Sequence, residues 1–308
     1  MRSVAAARDV DRISVCICTY KRPALLAALL DALAAQVTDA SFAFDVVVVD
    51  NDLRRSSEEV VRSVAGRSTV AVTYDAEPER NISMARNRAI QHATGNLVAF
   101  IDDDERPGRD WLRQLHQTLR DSGADGVLAP VIPDFPPEAP QWLRDGRVFD
   151  RKRHATGCRI GAGDARTGNA LLDRSLFADG RTWFDPALGR SGGEDSEFFS
   201  RQFRNGRAFV WCDEAVVSEA VPPERWKAAF HIKRFWRSGT ISGEWMRDGR
   251  LPSTLFAKNL LGLGACAVAM PVSLVLPKRL WMRVAQKCAY CAGVVTAYLG
   301  WSMFRHRD

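Results

Sequence analysis

The feature that most constrains this chain is an alternation, over residues 13–130, of short apolar runs with amphipathic stretches. ISVCIC (Ile13 to Cys18) precedes a helical pattern from Pro23 through Ala35. VVVVD (Val46 to Asp50) is a continuous apolar run, the pattern of a strand buried on both faces of a parallel sheet. VAVTYD (Val70 to Asp75) and NLVAFID (Asn96 to Asp102) read as further strands, separated by a helix from Met84 to His92 that Ser83 is placed to cap. A helix over Arg109 to Leu119 and a strand GVLAP (Gly126 to Pro130) follow. This order predicts a doubly wound, Rossmann-like α/β sheet. Ligands of such sheets sit at the carboxyl ends of the strands.

The residues expected at those ends are Thr19 and Tyr20, then Asp50 to Asp52, then Asp102 to Glu105. Four adjacent carboxylates, Asp102, Asp103, Asp104 and Glu105, repel one another and raise each other's pKa unless a cation intervenes. A divalent ion, Mg or Mn, suits such hard oxygen ligands. The bland alternative is a solvated acidic turn before a helix. A second acidic run, GGEDSEFF (Gly192 to Phe199), opens a helix with Glu194, Asp195 and Glu197. A carboxylate there is favoured in the ionised form that a general base needs, although plain capping fits too. In ERNISMARNR, Arg80, Arg86 and Arg88 cluster near a helix start, which suits a phosphate or simply a solvated basic face.

Residues 131–165 are rich in Pro and Gly and read as a long excursion over the site. Mixed sheet and helix are expected from Arg166 to Glu219, and Arg225 to Trp245 is basic and aromatic. Two apolar stretches close the chain, Leu255 to Leu276 and Val284 to Phe304, each near the ~20 residues that cross a bilayer core. Lys258, Asn259 and Pro271 interrupt the first, and Gln286 and Lys287 the second. A two-pass hairpin would leave Lys278, Arg279 and Arg283 outside, against the positive-inside rule. An in-plane or re-entrant pair resting on anionic headgroups avoids this. The alternative is a hydrophobic helical pair packed on the rest of the protein or in a dimer. The expected division is a catalytic domain over residues 1–245 and a membrane-associating helical tail over residues 246–308.

At 308 residues and 46% hydrophobic, the chain can bury one large domain with an appendage. A net charge of +6 suits an anionic ligand or a membrane surface. No arginine-rich run interleaves with aromatics, so nucleic acid is not an expected partner. The seven cysteines are scattered, and the lone C-x-x-C pair Cys288 and Cys291 is no zinc signature. That usage fits a reducing compartment. MRSVAAARDVDR holds no long apolar core, so no secretory signal is expected and the catalytic part is expected in the cytoplasm.

Taken in order, SVCICTYKRP, VVVDND, ARNRAI, FIDDDE and GGEDSEFFSR resemble the motifs of family 2 glycosyltransferases with the GT-A fold, over roughly residues 12 to 240. ERNIS, TGNALL (Thr167 to Leu172), GGEDSEFFSR and VPPER look most like the succinoglycan-type transferases of bacterial exopolysaccharide assembly. The resemblance implies a GT-A mixed sheet with a C-terminal hydrophobic helical appendage. It implies inverting transfer from a nucleotide diphosphate sugar, a UDP-sugar by preference, to a lipid-linked or glycan acceptor at the cytoplasmic face of the membrane.

It also implies roles. Asp195 would be the catalytic base. Thr19, Tyr20, Asp50, Asp52, Arg86 and Asp103 would bind the nucleotide sugar, and Asp102 and Asp104 the Mn2+ or Mg2+. Glu194 would serve the acceptor or diphosphate, as would Arg234 and Trp236 in HIKRFWRSG. Two departures stand out. The second strand ends in DND rather than Asp-Asp-Gly-Ser, and VVSEAVPPER stands where many relatives place a metal-binding His. Glu219 and His231 are the stand-ins within reach.

Three rivals have distinct signatures. A haloacid-dehalogenase-type phosphotransferase would end its first strand, not its fourth, in D-x-D. A Rossmann dehydrogenase would need GAGDAR (Gly161 to Arg166) after the first strand. A non-catalytic carbohydrate-binding protein would bind sugar without metal-dependent donor hydrolysis.

Overall fold

The computed structural model describes residues 10–146, 148–180, 182–275 and 277–301. Residues 1–9, most of the segment read as lacking a signal, lie outside them, as do Leu276 and the end of the second apolar stretch. The chain clusters into two compact units. The first runs up to Ile132 and includes Arg151–Pro186 and Glu194–Glu219. The second comprises Pro133–Asp150, Ala187–Gly193 and the chain from Ala220 on.

The first unit is built on β1 (Asp11–Thr19), α1 (Pro23–Ala34), β2 (Phe42–Asp50), α2 (Glu58–Ala65), β3 (Val72–Ala76), α3 (Ile82–His92) and β4 (Leu97–Phe100). The short β5 (Glu105–Pro107), α4 (Trp111–Ser122) and β6 (Gly126–Leu128) come next. After β7 (Val131–Asp134) and α5 (Gln141–Gly146), the chain adds β8 (Ala170–Asp173), α6 (Glu194–Arg204), β9 (Phe209–Trp211) and β10 (Val217–Ala220). The main sheet has seven strands in the order β3-β2-β1-β4-β8-β6-β9. Strands β3, β2, β1 and β4 are parallel, and β8 runs antiparallel to both β4 and β6. A smaller sheet has the order β5-β10-β7.

Burial explains the central strands. Val46, Val47, Val48 and Val49 are all buried, because helices cover both faces of β2. On one face, Ile13, Val15, Ile17, Val46 and Val48 pack with Leu26, Leu29, Leu30 and Leu33 of α1 and with Leu112 and Leu115 of α4. Each buried leucine contributes about 1.5–3 kcal/mol of transfer free energy. On the other face, Cys16, Val47, Val49 and Val98 meet Ala85, Ala89 and Ile90 of α3 and Phe198 and Phe199 of α6. Gly95 is obligatory: a Cβ there would lie 2.3 Å from the Arg12 carbonyl oxygen. One local expectation changes. Asn81, not Ser83, caps α3, its side chain accepting from the amides of Ser83 and Met84.

The second unit carries α5 and three long helices, α7 (Ala228–Arg247), α8 (Thr254–Ser273) and α9 (Lys278–Tyr298). The region 131–165, expected as one excursion, holds β7 and α5 before an irregular stretch. The helix α8 is the apolar C-terminal element that the composition of the tail anticipates.

Candidate active site

The carboxyl ends of β1 and β4 converge on one acidic cluster. The chain leaves β1 through a tight turn with Lys21 at φ +55°, which aims Arg22 back across the sheet. Arg22 Nη1 donates to Asp103 Oδ1 at 3.0 Å and to Asp104 Oδ2 at 2.9 Å. Thr19 Oγ1 donates to Asp103 Oδ2 at 2.8 Å. The turn after β4 is closed by Asp102, whose amide donates to Glu105 Oε2 at 2.9 Å. Antiparallel pairing of β5 with β10 then sets Glu105 opposite Glu219.

This gathers more negative charge than Arg22 cancels. Burial pushes the Asp104 carboxyl up to about 6, with Asp102, Glu219 and Asp103 adding to the rise and Arg22 opposing it. Glu105 is held well above its usual range by burial and by Asp102 and Glu219. Burial also raises Asp103, against the pull of Arg22 and Thr19. Asp102 differs, with half its side chain (51%) exposed. Gly168, in TGNALL, lets the backbone pass close: a Cβ there would sit 2.9 Å from Glu105 Oε1 and 3.3 Å from Asp102 Oδ2.

Among the described residues, no three His, Cys, Asp or Glu side chains form a ready-made metal cage. The donor chemistry nonetheless fits a hard divalent cation of the kind bound by one or two carboxylates plus substrate phosphates. Crowded, destabilised carboxylates next to a half-exposed one are such a donor set.

Arg86 joins this cluster to the second acidic run. It projects from α3 with its side chain only 9% exposed, and Nη1 lies 2.6 Å from Glu194 Oε1. Nη2 lies 3.9 Å from Asp102 Oδ1. The guanidinium stands 5.6 Å over the Phe184 ring. Burial works against its charge, and the carboxylates of Glu194, Asp102 and Asp195 more than restore it. Asp195 is in the first turn of α6, half-buried, and its Oδ1 accepts from the Ser196 amide at 2.7 Å. The turn into α6 places Gly192 at φ +91° and Gly193 at +95°, conformations that favour glycine.

At the neighbouring end of β2, the Asp50 carboxylate is used internally. It accepts from the Ser57 amide at 2.8 Å and from the Tyr74 hydroxyl and Asp52 amide, both at 3.2 Å. Burial raises its pKa. Asp52 is also buried. Asn51 laces this end to the start of α3: its Nδ2 donates to the Glu77 carbonyl at 3.0 Å, and its Oδ1 accepts from the Asn81 amide at 2.9 Å. Tyr20 has the Arg80 guanidinium 4.9 Å from its ring centroid. Arg88, a phosphate candidate by sequence, is instead paired with Asp75 and Glu77 at 3.1 Å.

The first unit thus brings together Thr19, Arg86, Asp102, Asp103, Asp104, Glu194 and Asp195, with Tyr20, Asp50 and Asp52 at the same strand ends. Arg234 and Trp236 lie on α7 of the second unit. Of the two stand-ins for the missing His, Glu219 adds its charge to Asp104 and Glu105. His231 is a core residue, its Nε2–H donating to the Arg225 carbonyl at 2.9 Å among the rings of Trp142, Phe149 and Phe230.

Sequence patterns alone do not single out Arg22, the lacing role of Asn51, the pairing of Glu105 opposite Glu219, or Asn169. The last is buried at φ +62° and accepts from Trp111 Nε1 at 2.7 Å while donating to the Pro130 and Ala215 carbonyls. A signal existed for it, an Asn after Gly in a short apolar run, because Asn tolerates the left-handed region.

Cavities open at both ends of the first unit's strands among the described residues. One of about 200 Å3 is lined by Arg151, Lys152, Arg166, Gly168 and Trp211. One of about 400 Å3 lies beyond the opposite end of the strands, where Arg207 and Asp125 already pair at 2.7 Å. The GAGDAR segment belongs to an irregular stretch rather than a strand-to-helix turn, so it forms no dinucleotide fingerprint. D-x-D follows β4 rather than β1, unlike a haloacid-dehalogenase site.

Comparison with known proteins agrees with this geometry. Residues 14–181 match the model described as glycosyl transferase family 2. The chain is 35% identical over 295 residues to the succinoglycan biosynthesis protein ExoM of Rhizobium meliloti, covering 94% of this chain and 93% of that one. It is 24% identical over 246 residues to chondroitin synthase of Escherichia coli, of which it spans 35%. Among solved structures, it resembles the mannosyltransferase PcManGT of Pyrobaculum calidifontis, in complex with GDP-Man and Mn2+. That likeness has a TM-score of 0.65 at 21% identity and covers 94% of this chain and 88% of that one. S. aureus TarS 1-349 in complex with UDP matches at a TM-score of 0.52 and 18% identity, covering 94% and 92%. At these identities the structural likenesses establish the GT-A fold.

Proposed function

The chain belongs to glycosyl transferase family 2, and on that premise we propose that it transfers a sugar, with inversion, from a nucleotide diphosphate sugar to a lipid-linked or glycan acceptor in bacterial exopolysaccharide assembly. A UDP-sugar is the preferred donor, and the cytoplasmic side of the membrane the preferred location. The catalytic part is residues 1–245 and the membrane-associating tail residues 246–308. The observation that carries the reading is Arg86, which ties Asp102 of the first acidic motif to Glu194 of the second, beside Asp195.

Tyr20, Asp50 and Asp52 would receive the nucleoside, with Thr19 and Asp103 shaping the floor beneath it. Asp102 and Asp104 would hold Mn2+ or Mg2+. When bound there, the cation neutralises charge developing on the departing diphosphate. Arg86 holds Glu194 at 2.6 Å and stands 3.9 Å from Asp102, where it would orient that carboxylate for the donor phosphates. Asp195 Oδ1 is engaged by the Ser196 amide, so Oδ2 is the oxygen that would serve the acceptor. Oδ2 takes the acceptor's hydroxyl proton as that oxygen bonds to the anomeric carbon. The bond from that carbon to the diphosphate oxygen breaks on the opposite face, its electron pair leaving with the diphosphate. Arg234 and Trp236 would serve the acceptor or diphosphate.

A screen of nucleotide sugars for Mn2+-dependent release of nucleoside diphosphate tests the reading. The wild type should release product with a subset of donors. Asp195→Asn should still bind donor with Mn2+ and lose transfer; unchanged transfer would overturn the assignment. A chain that binds sugars but releases no nucleoside diphosphate with any donor would be a carbohydrate-binding protein.

A further inference from the structure

We infer that α8 is an in-plane anchor, lying within one leaflet of an anionic membrane, while α9 remains a helix of the protein interior. This rests on the membrane association proposed above and specifies its mode.

The helix α8 uses only one stripe for packing. Asn259, Cys266 and Ser273 are buried on it. Cys291 Sγ of α9 donates to Asn259 Oδ1 at 3.6 Å, and Phe256 stacks on Tyr298 at 4.4 Å. The other faces are apolar and open, with Leu261 and Val268 77% exposed and Val272 64%, and Val275, just past the helix end, is 85% exposed. The helix is long and apolar enough to cross a bilayer, and little of it is buried. A core helix of a soluble protein would cover these side chains, and a solvated helix would not carry them.

Charge identifies what covers them. Residues 249–301 hold six Lys or Arg and no Asp or Glu, so the chain's whole formal excess of +6 falls in this segment. Lys258, Arg279, Arg283 and Lys287 are exposed. An apolar face bordered by cations without acids matches an anionic lipid surface.

Spanning is disfavoured by what α9 touches. It runs antiparallel to α8, Phe256 meeting Tyr298 while Gly262 meets Cys291, so a crossing α8 would take α9 with it. On its other side α9 is in backbone contact with α7. Cβ atoms added at Gly239, Gly243 and Gly293 would lie 2.1 to 2.4 Å from the carbonyl oxygens of Tyr290, Val294 and Trp236. The charged helix α7, with Lys233, Arg234, Arg237, Glu244 and Arg247, would have to enter the hydrocarbon as well, at prohibitive cost. Lying in one leaflet leaves α9 and α7 where they are.

The test uses the full chain. Wild type should float with vesicles of phosphatidylethanolamine and phosphatidylglycerol, and far less with phosphatidylcholine. Leu261→Asp combined with Val268→Asp should lower flotation by about tenfold or more while nucleotide-sugar hydrolysis and helical content persist. Pro277→Cys, at the exposed junction between α8 and α9, should react with a membrane-impermeant maleimide only after cells are opened. Labelling of Pro277→Cys above the parent in intact cells would replace the in-plane mode by spanning and leave membrane association standing. Flotation unaffected by the double variant would remove α8 as the anchor. A wild type that floats with no vesicle would overturn membrane association itself. If the double variant instead turned a wild-type dimer into a monomer without changing flotation, the apolar face would be a subunit interface.

Discussion

Arg86 and Glu194, 108 residues apart in sequence, form a buried ion pair at 2.6 Å beneath the acidic end of the sheet. The Glu194 side chain is 1% exposed, so the pair is a fixed part of the floor between the two acidic motifs.

Removing one partner leaves the other as an uncompensated buried charge. Arg86→Gln should lower stability by about 3–5 kcal/mol, read as a shift of the denaturant midpoint. Arg86→Lys keeps the charge but cannot reach Glu194 and Asp102 with separate nitrogens. Its loss in stability should be smaller, and its loss in donor hydrolysis comparable.

Gly168 offers a finer probe. Gly168→Ala pushes a methyl against Glu105 Oε1 and Asp102 Oδ2. These are the ends of movable side chains, so the cost in stability should stay below about 1 kcal/mol. The displaced carboxylates should weaken Mn2+ binding by about tenfold, near 1.4 kcal/mol, measured by calorimetric titration. An unchanged titration would remove Asp102 from the ligand set.

Arg22 is the cation already in place between Asp103 and Asp104. Arg22→Gln removes a competitor for those oxygens, so Mn2+ binding without nucleotide should tighten, by roughly threefold to tenfold if the pair contributes about 1 kcal/mol in this half-exposed setting. Paramagnetic resonance of free Mn2+ reads this directly. Weaker binding would mean that Arg22 is needed to position the carboxylates.

The second unit should be acid-sensitive at His231. Burial holds this imidazole down at about 4, below the 6.5 of a free histidine. Between those values the unfolded chain binds a proton that the native chain refuses, so stability falls as pH falls through that window. The loss reaches about 3 kcal/mol once pH is below both values. His231→Gln keeps a donor for the Arg225 carbonyl and should flatten the acid limb of the thermal midpoint between pH 6.5 and 4.

Much of the fold could be read locally. The parallel strands at Ile13–Cys18 and Val46–Asp50 announce themselves because strands buried on both faces need continuous apolar runs. Pro23 at the first turn of α1 and the leucines at Leu26, Leu29, Leu30 and Leu33 mark a helix by spacing alone. ALLD of β8 carries no such period. Only its pairing with β4 and β6 decides that it runs antiparallel in the centre of the sheet.

By itself, the sequence determined which residue types stand at the strand ends: the acids at Asp50, Asp102–Glu105 and Glu194–Asp195, and the arginines near α3. Chemistry at such ends follows from composition and order, because each strand and its exit are local. Tertiary structure decided the pairings: that Arg86 meets Asp102 and Glu194 while Arg88 pairs with Asp75 and Glu77, that Arg22 clamps Asp103 and Asp104, and that His231 is core. Side chains 81 to 108 residues apart have no shared local pattern. Their contacts are set by strand order and burial, which belong to the folded chain as a whole.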